Sequence, residues 1–112
     1  METLKNTLFE AIELFLRVVE NNQFVEGHEV LEDEWKRLKT LPEHENEAKI
    51  LKGLINASTA LALASKGKKE GAMRVWQTYE KYAPLIMSTQ TEHTPSYKEA
   101  QRLLQRKYTL YM

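Results

Sequence analysis

Residues 54–64 read LINASTALALA, a stretch whose side chains are apolar or small on nearly every face of a helix. A helix of this kind is buried, because no face of it is polar enough for water, and its small residues let neighbouring helices approach closely. Gly67, with basic residues on both sides, is placed to cap the helix after about residue 65. The sequence therefore predicts that segment 45–65 is the central helix of the fold.

Four more amphipathic segments flank the central helix, and each repeats its apolar side chains every three or four residues. The predicted helices cover about residues 3–20, 23–40, 45–65, 69–88 and 96–108. No segment alternates polar and apolar residues with the period of two that a half-buried strand shows. We therefore expect an all-α fold of about five helices in a single domain that spans residues 1–112.

Polar and helix-breaking residues mark where these helices end. The pair Asn21-Asn22 closes the first helix, and Pro42 interrupts the chain because proline lacks the N–H donor of a continuing helix. Pro84 is expected to kink or stop the fourth helix. Ser96, with Glu99 three residues later, has the pattern of a capping box and predicts where the last helix starts.

The first two helices resemble a diverged copy of the third and fourth. With a shift of 45 residues, Asn22 aligns with Gly67, and Gly27 aligns with Ala72. Each pair of helices would then form a hairpin with a small residue early in its second helix, where the two helices cross most closely. The spacing in the second pair also resembles a tetratricopeptide-type repeat. We therefore expect a helical bundle with two tetratricopeptide-like hairpins.

The overall composition restricts the classes of function. The hydrophobic content of 42% is typical of a globular protein. Sixteen basic residues balance sixteen acidic ones, so the chain lacks the net positive charge that is typical of nucleic-acid-binding proteins. The chain has no cysteine, which excludes disulfides, a zinc ribbon, an iron–sulfur cluster and a cysteine nucleophile. It shows neither a leader-like N-terminus nor the roughly 20 apolar residues of a membrane span. We therefore expect a cytoplasmic protein that binds no nucleic acid and no membrane.

Charge is unevenly distributed along the chain. Residues 20–47 carry nine acids and three bases, whereas residues 49–82 carry seven bases and two acids. Residues 96–112 are basic as well, with four bases and one acid. We expect these segments to pair inside the bundle or across a dimer interface rather than to bind nucleic acid, because phosphate binding needs a larger surface of one sign.

The residues best suited to chemistry lie in EGHEVLEDEW, residues 26–35. Because a helix turns by about 100° per residue, His28 lies in the apolar seam, Glu32 at its border and Glu29 one step outward. His28 and Glu32 can reach one divalent metal ion, with Glu29 as a further ligand or as the candidate catalytic base. The string H-E-x-x-E lacks the second histidine of the zincin motif, which excludes a metalloprotease.

Structural roles are open alternatives for the same residues. His28 is then a hydrogen-bonded core residue, while Glu29 and Glu32 are ordinary solvated charges. Lys52 forms an i, i+4 pair with Asn56 on the central helix. An ammonium group of Lys52 placed against Glu29 or Glu32 would neutralise the carboxylates and replace the metal.

The remaining aromatic residues and histidines of note have structural expectations. Trp35 and Trp76 are expected to be core anchors. His44 and His93 fall in a loop or at the start of a helix, so they are expected to be solvated and to be weak candidates for a third metal ligand.

Three blocks of sequence carry a family resemblance: FVEGHEVLEDEW at 24–35, LKGLIN at 51–56 and GKKEGA at 67–72. In this order they resemble a small prokaryotic family known as domain of unknown function 309, and the likeness covers about residues 8–80. The resemblance implies an all-helical bundle of hairpins. Because the family is sometimes described as predicted metal-dependent hydrolases, it also implies a divalent metal ion as the possible cofactor.

The resemblance further implies a marked cluster of residues, and this chain departs from the family at several of its positions. The marked residues are Glu26, His28, Glu29, Glu32, Trp35, Lys52 and Asn56. The family often has glutamine at the last two, and often has histidines near Ala62 and Leu63, where this chain has none. Gly27 stands in place of the usual alanine and is expected to cost only about 1 kcal/mol of helix propensity.

Two functions from different classes follow from these observations. The first is an interaction or structural module whose hairpins present a groove to a protein or peptide, and whose His-Glu-Trp cluster fixes the helix packing. The alternative is a metal-dependent hydrolase in which His28, Glu29 and Glu32 hold a divalent ion whose bound water is the nucleophile. In either case we expect a homodimer, because twofold symmetry is the commonest assembly.

Overall fold

Seven α-helices and one short 3-10 turn make up the chain in a computed structural model that describes residues 4–112, with side chains from Thr7 onward. The helices are α1 Leu4–Glu20, α2 Phe24–Val30, α3 Glu32–Leu38, α4 Glu45–Ser65, α5 Lys69–Tyr82, α6 Pro84–Ser88 and α7 Thr94–Tyr111. The 3-10 turn, Pro42–His44, lies between α3 and α4. Residues 4–112 contain no strand, which confirms the all-α prediction. The predicted start of the first helix, at residue 3, lies outside the described residues.

The five predicted helical segments are confirmed, but two of them are interrupted. The second segment breaks at Leu31, which separates α2 from α3 and has φ −100° and ψ −8°, in the sparsely populated bridge region. The fourth breaks at Ala83, because Pro84 has no N–H for a continuing helix and instead starts α6. Residues 23–40 are therefore two short helices and not the one regular helix that the predicted angular positions assume.

α7 begins earlier than the capping box predicts. Thr94 is its first residue, and the Thr94 hydroxyl accepts a hydrogen bond from the Thr91 amide at 2.9 Å. The Ser96 hydroxyl instead donates to the Glu13 carboxylate of α1 at 3.3 Å. The predicted capping box of Ser96 and Glu99 is therefore wrong, because the Ser96 hydroxyl bonds to another helix.

α4 is the central helix, as the sequence predicts. It packs against α2, α3, α5, α6 and α7, and Leu51, Leu54, Ala57 and Leu61 on it have no exposed surface. The buried apolar side chains of the helices form one core cluster with those of α4, and burial of these side chains is the main driving force for folding. Although α4 is rich in apolar residues, no helix within residues 4–112 has the length and hydropathy to cross a membrane.

α1 and α4 end in the same way, at the two positions that the 45-residue shift aligns. Asn22, with φ 63°, and Gly67, with φ 81°, both adopt the left-handed conformation. After each helix, two amides of the turn donate to carbonyls of the last helical turn at 2.8 to 3.0 Å, which is the Schellman pattern. The glycine cap of α4 is confirmed, while the likeness of the two hairpins to tetratricopeptide repeats stays a prediction.

Lys107, a buried lysine of α7, joins the last helix to the end of the first. Its Nζ donates to the Glu20 carbonyl oxygen at 3.0 Å and to Asn22 Oδ1 at 2.7 Å. Arg106 pairs with the Glu20 carboxylate at 3.3 Å. This pair of Arg106 and Glu20 links the basic segment 96–112 to the acidic segment 20–47. Within the described part of the chain, no other ion pair between two helices links the acidic segment to a basic one.

Candidate functional site

A cavity of about 270 Å³ opens between the α2–α3 pair and α4, and we call it the His28 cavity. It is lined by His28, Glu32, Trp35, Lys52, Ile55, Asn56 and Thr59. Five of the seven residues in the predicted cluster thus lie at one place. The other two, Glu26 and Glu29, are exposed and do not line the cavity.

A close contact between α2 and α4 positions the His28 cavity. The Ser58 hydroxyl of α4 donates to the Phe24 carbonyl oxygen of α2 at 2.6 Å. A Cβ atom on Gly27 would lie 2.4 Å from Ser58 Oγ and 3.0 Å from Val19 Cγ2, so only glycine lets the helices meet here without a shift. The expectation that Gly27 is a minor departure from alanine is therefore wrong, because the missing side chain makes room for a buried hydrogen bond.

His28 and Glu32, two of the predicted metal ligands, face the His28 cavity together. His28 Nε2 lies 3.6 Å from Glu32 Oε2, and the two side chains are 37% and 39% exposed. His28 is therefore at the rim of the cavity and is not a buried core residue. No three His, Asp or Glu side chains in the described part of the chain are grouped so that they could hold a metal ion. The metal site of His28, Glu29 and Glu32 therefore stays a prediction. Two of its three side chains, His28 and Glu32, lie at the same cavity.

Lys52 has aromatic neighbours rather than the carboxylates that the sequence suggests. Its Nζ lies 5.9 Å from the ring centroid of Trp35 and 6.0 Å from that of Tyr82, within cation–π range. Among the described side chains it forms no ion pair with Glu29 or Glu32, so the suggested contact is wrong. The Asn56 side chain donates to the Lys52 carbonyl oxygen at 2.8 Å, so these two residues pair through the backbone of Lys52.

The two tryptophans differ in environment. Trp76 is a buried core anchor, as predicted, and stacks on Tyr108 with the ring centroids 4.4 Å apart. Trp35 packs against the edge of the core but is only partly buried, because one side of its ring forms a wall of the His28 cavity. Lys39, one helical turn further along, places its Nζ 4.2 Å from the Trp35 ring centroid. The prediction that Trp35 is a core anchor is thus only half correct.

A larger cavity of about 470 Å³ adjoins the first, and we call it the Lys39 cavity. Both cavities are lined by Trp35 and Lys52, and together we call them the groove. Lys39, Lys49 and Tyr82 also line the Lys39 cavity. Tyr82 reaches the groove from α5 because Gly53 lets the helices approach, and a Cβ atom on Gly53 would lie 3.1 Å from Tyr82 Cβ.

Sequence reasoning missed Lys39 and Tyr82 as groove residues. The signal for Lys39 is its position four residues after Trp35, which places this C-cap residue of α3 on the same side of the helix as Trp35. From the sequence alone, Tyr82 is one more aromatic residue on the apolar face of the predicted helix 69–88. Its role depends on the crossing of α4 and α5 at Gly53, which the sequence does not specify locally.

A second polar cluster lies where α1, α3, α4 and α7 meet, and the sequence did not reveal it. Tyr97 is buried and donates its hydroxyl to Glu47 Oε2 at 2.6 Å. Burial, followed by the nearby charge of Glu47, raises the pKa of Tyr97 well above its ordinary range. Glu34 is also buried and pairs with Arg37 on the next turn of α3. Tyr97 and Glu47 are far apart in sequence, so no helical spacing could have paired them.

His93 belongs to this buried cluster, which corrects the expectation that it is solvated. It is 5% exposed, and its ring lies 6.4 Å from the ring of Phe9 and 6.3 Å from that of Tyr97, measured between centroids. Docking of α7 beside α1 covers it. His44 is 43% exposed, and its Nδ1 lies 3.8 Å from Glu47 Oε1. It is therefore closer than His93 to the solvated state that the sequence predicts for both histidines.

The geometry defines a class of protein: a small all-helical protein in which a groove of polar and aromatic side chains runs along the central helix. The chain belongs to the family described as Domain of unknown function (DUF309), whose sequence model matches residues 12–75, more than half of the chain. This match confirms the resemblance that the three sequence blocks indicate. It covers α2, α3 and α4 and ends before Tyr82. A search of the curated proteins and a search of the solved structures return no match.

Proposed function

We propose that this protein is a non-catalytic interaction module, and that its groove binds a segment of a partner protein. The observation that carries the proposal is the position of Trp35, a partly buried tryptophan that forms a wall of both the His28 cavity and the Lys39 cavity. Tryptophan and tyrosine dominate the energetics of protein interfaces when they are held in such pockets. Trp35 and Tyr82 together supply two of these side chains to one groove.

The floor of the groove supports binding because it is already ordered. Lys52 and Asn56 project from α4, whose neighbouring residues Leu51 and Leu54 have no exposed surface. The contact of Gly27 with Ser58 fixes the opposite wall. A groove whose backbone is already formed loses less conformational entropy on binding than one that must fold around its ligand, which favours affinity.

The metal-dependent hydrolase receives less support from the same geometry. A catalytic zinc-type site uses three protein ligands and leaves one position for water. At the His28 cavity the predicted ligand set contributes two side chains, His28 and Glu32, while Glu29 is exposed elsewhere on α2. The cytoplasmic location and the homodimer stay predictions, and sedimentation equilibrium of the purified protein tests the second.

Selection from a displayed peptide library tests the proposed function. We expect selected peptides to bind the wild-type protein and to lose at least about tenfold in affinity for Trp35→Ala, which is the loss of a typical hot spot. Met87→Ala is the matched control, because Met87 is 69% exposed on α6 and lines neither cavity. Peptides that bind Trp35→Ala as tightly as the wild type would contradict the proposal.

An NMR readout guards against a Trp35→Ala variant that fails to fold. In the wild-type protein, addition of a selected peptide should shift the indole N–H signal of Trp35 and leave that of Trp76 unchanged, because Trp76 is buried in the core. A peptide that binds without moving the Trp35 signal would place the binding surface outside the groove.

A further inference from the structure

We infer that the segment bound in the groove is acidic, with carboxylates held by Lys39, Lys52 and Lys81. This inference rests on the proposed function and names the chemistry of its partner. Lys39 and Lys52 line the Lys39 cavity itself. Lys81 precedes Tyr82 on α5 and places its Nζ 5.4 Å from the Tyr82 ring centroid, which adds a third ammonium group beside the aromatic walls.

Among the side chains that the structure describes, no carboxylate pairs with the three ammonium groups. None of them lies within 4.0 Å of a carboxylate oxygen of any side chain that the structure describes. Lys49, the third lysine that lines the Lys39 cavity, is paired with Glu45 at 3.1 Å. The lining of the Lys39 cavity thus contains three lysines and one glutamate, an excess of positive charge in a chain whose overall net charge is zero.

The aromatic rings hold the ammonium groups without using their hydrogen-bond donors. A cation over a ring face is attracted by the ring quadrupole, whereas each lysine ammonium has three N–H donors that need oxygen acceptors. Charge-assisted hydrogen bonds to a carboxylate are the strong contacts that such donors make. Lys39, at 4.2 Å from the Trp35 centroid, and Lys52, between Trp35 and Tyr82, are therefore positioned for carboxylates of a ligand.

The charge changes along the groove and favours a short acidic segment of a protein over a long polyanion such as nucleic acid. At the other end, the His28 cavity contains Glu32 beside His28, and the α2–α3 wall carries exposed acids at Glu26, Glu29 and Asp33. These carboxylates repel a continuous chain of phosphates. A peptide can place its acidic residues at the lysines and neutral or basic residues near Glu32.

Fluorescence anisotropy with defined peptides tests the inference. The probe is a fluorescein-labelled peptide of repeated Glu-Gly-Leu units, and its matched control has Gln in place of every Glu. We expect the acidic peptide to bind at least about tenfold more tightly than the Gln peptide. Its affinity should also fall as salt is added, because salt screens exposed charges.

Two charge-matched triple variants locate the binding surface. Lys39→Gln, Lys52→Gln and Lys81→Gln together should remove most of the preference for the acidic peptide. Lys66→Gln, Lys68→Gln and Lys69→Gln together remove the same charge from exposed positions in the turn after α4 and at the start of α5, and should leave the preference within about twofold of the wild type. Equal losses in the two triple variants would mean a general charge effect and overturn the inference.

Other outcomes separate this inference from the proposed function. If the Gln peptide binds as tightly as the acidic one and shifts the Trp35 indole signal, the groove binds peptides but the acidic partner is wrong. If neither peptide moves that signal, the acidic partner is wrong, and the proposed function fails as well only if the library-selected peptides also leave the signal unmoved. Tighter binding of a single-stranded oligonucleotide than of the acidic peptide, or occupation of the groove by a second copy of the chain, would also overturn the inference.

Discussion

Gly27→Ala should destabilise this protein, although alanine is the better helix former. Alanine gains about 1 kcal/mol of helix propensity over glycine. Its Cβ would lie 2.4 Å from Ser58 Oγ, so the hydroxyl must move and lose its buried hydrogen bond to the Phe24 carbonyl, at a cost of about 1–3 kcal/mol. Crowding against Val19 Cγ2, at 3.0 Å, adds about 1–3 kcal/mol of overpacking. We expect a net loss of about 3 kcal/mol.

Urea denaturation followed by circular dichroism measures this loss, and a double-mutant cycle identifies its cause. Ser58→Ala alone should cost about 1–2 kcal/mol, because the Phe24 carbonyl loses a donor. In Gly27→Ala/Ser58→Ala the new methyl group occupies the space that the hydroxyl leaves. The double variant should therefore be more stable than Gly27→Ala, with a favourable coupling of about 1–2 kcal/mol.

Gly71→Ala is the matched control for this cycle. Gly71 lies in α5, and a Cβ there would meet only Leu63 Cδ1, at the ordinary contact distance of 3.8 Å. This variant should be as stable as the wild type or more stable by up to about 1 kcal/mol. If Gly27→Ala behaved like Gly71→Ala, the close approach of α2 to α4 would not depend on glycine and the reasoning would fail.

Three more predictions concern other parts of the molecule. Burial raises the pKa of Tyr97 above its ordinary value of 10.0, whereas the Tyr97 hydroxyl of the unfolded chain ionises at that ordinary value. The free energy of unfolding should therefore fall as the pH rises above about 10, and it should fall less steeply in Tyr97→Phe. Urea melts at a series of pH values measure both slopes. Lys107→Met leaves the Glu20 carbonyl and Asn22 Oδ1 without their buried donor and should cost about 1–3 kcal/mol in the same melts, an expectation that an unchanged midpoint would contradict. His28→Ala removes a partly exposed side chain and should cost less than about 1 kcal/mol, with a melting temperature that ignores EDTA and added zinc. Stoichiometric metal in the purified wild type, lost from His28→Ala, would instead favour the hydrolase.

The features of the fold that could be predicted are those that local composition determines. LINASTALALA has no polar face, so α4 could only be central. The left-handed turns at Asn22 and Gly67 follow from residues that tolerate positive φ. The break at Leu31 could not be predicted, because no glycine or proline marks it and the residue is an ordinary buried leucine.

The candidate site was predictable where it lies on one helix and not where helices cross. His28, Glu32 and Trp35 share one cavity because their spacing repeats a helical turn, even through the interruption at Leu31. The surroundings of Lys52 depend on Tyr82, which α5 brings to the groove from a distant part of the chain. The burial of His93 likewise depends on how α7 docks beside α1.

The contact of Lys107 with the end of α1 has a consequence for synthesis of the protein on the ribosome. α1 emerges before α7 but is completed by it, because the ammonium group that binds the Glu20 carbonyl lies 87 residues further along the chain. Until α7 has left the exit tunnel, the apolar face of α1 that carries Ile12, Phe15 and Val19 lacks its final cover. We expect the nascent chain to be most open to chaperone binding and proteolysis during this interval, and to become more resistant once α7 has emerged and docked.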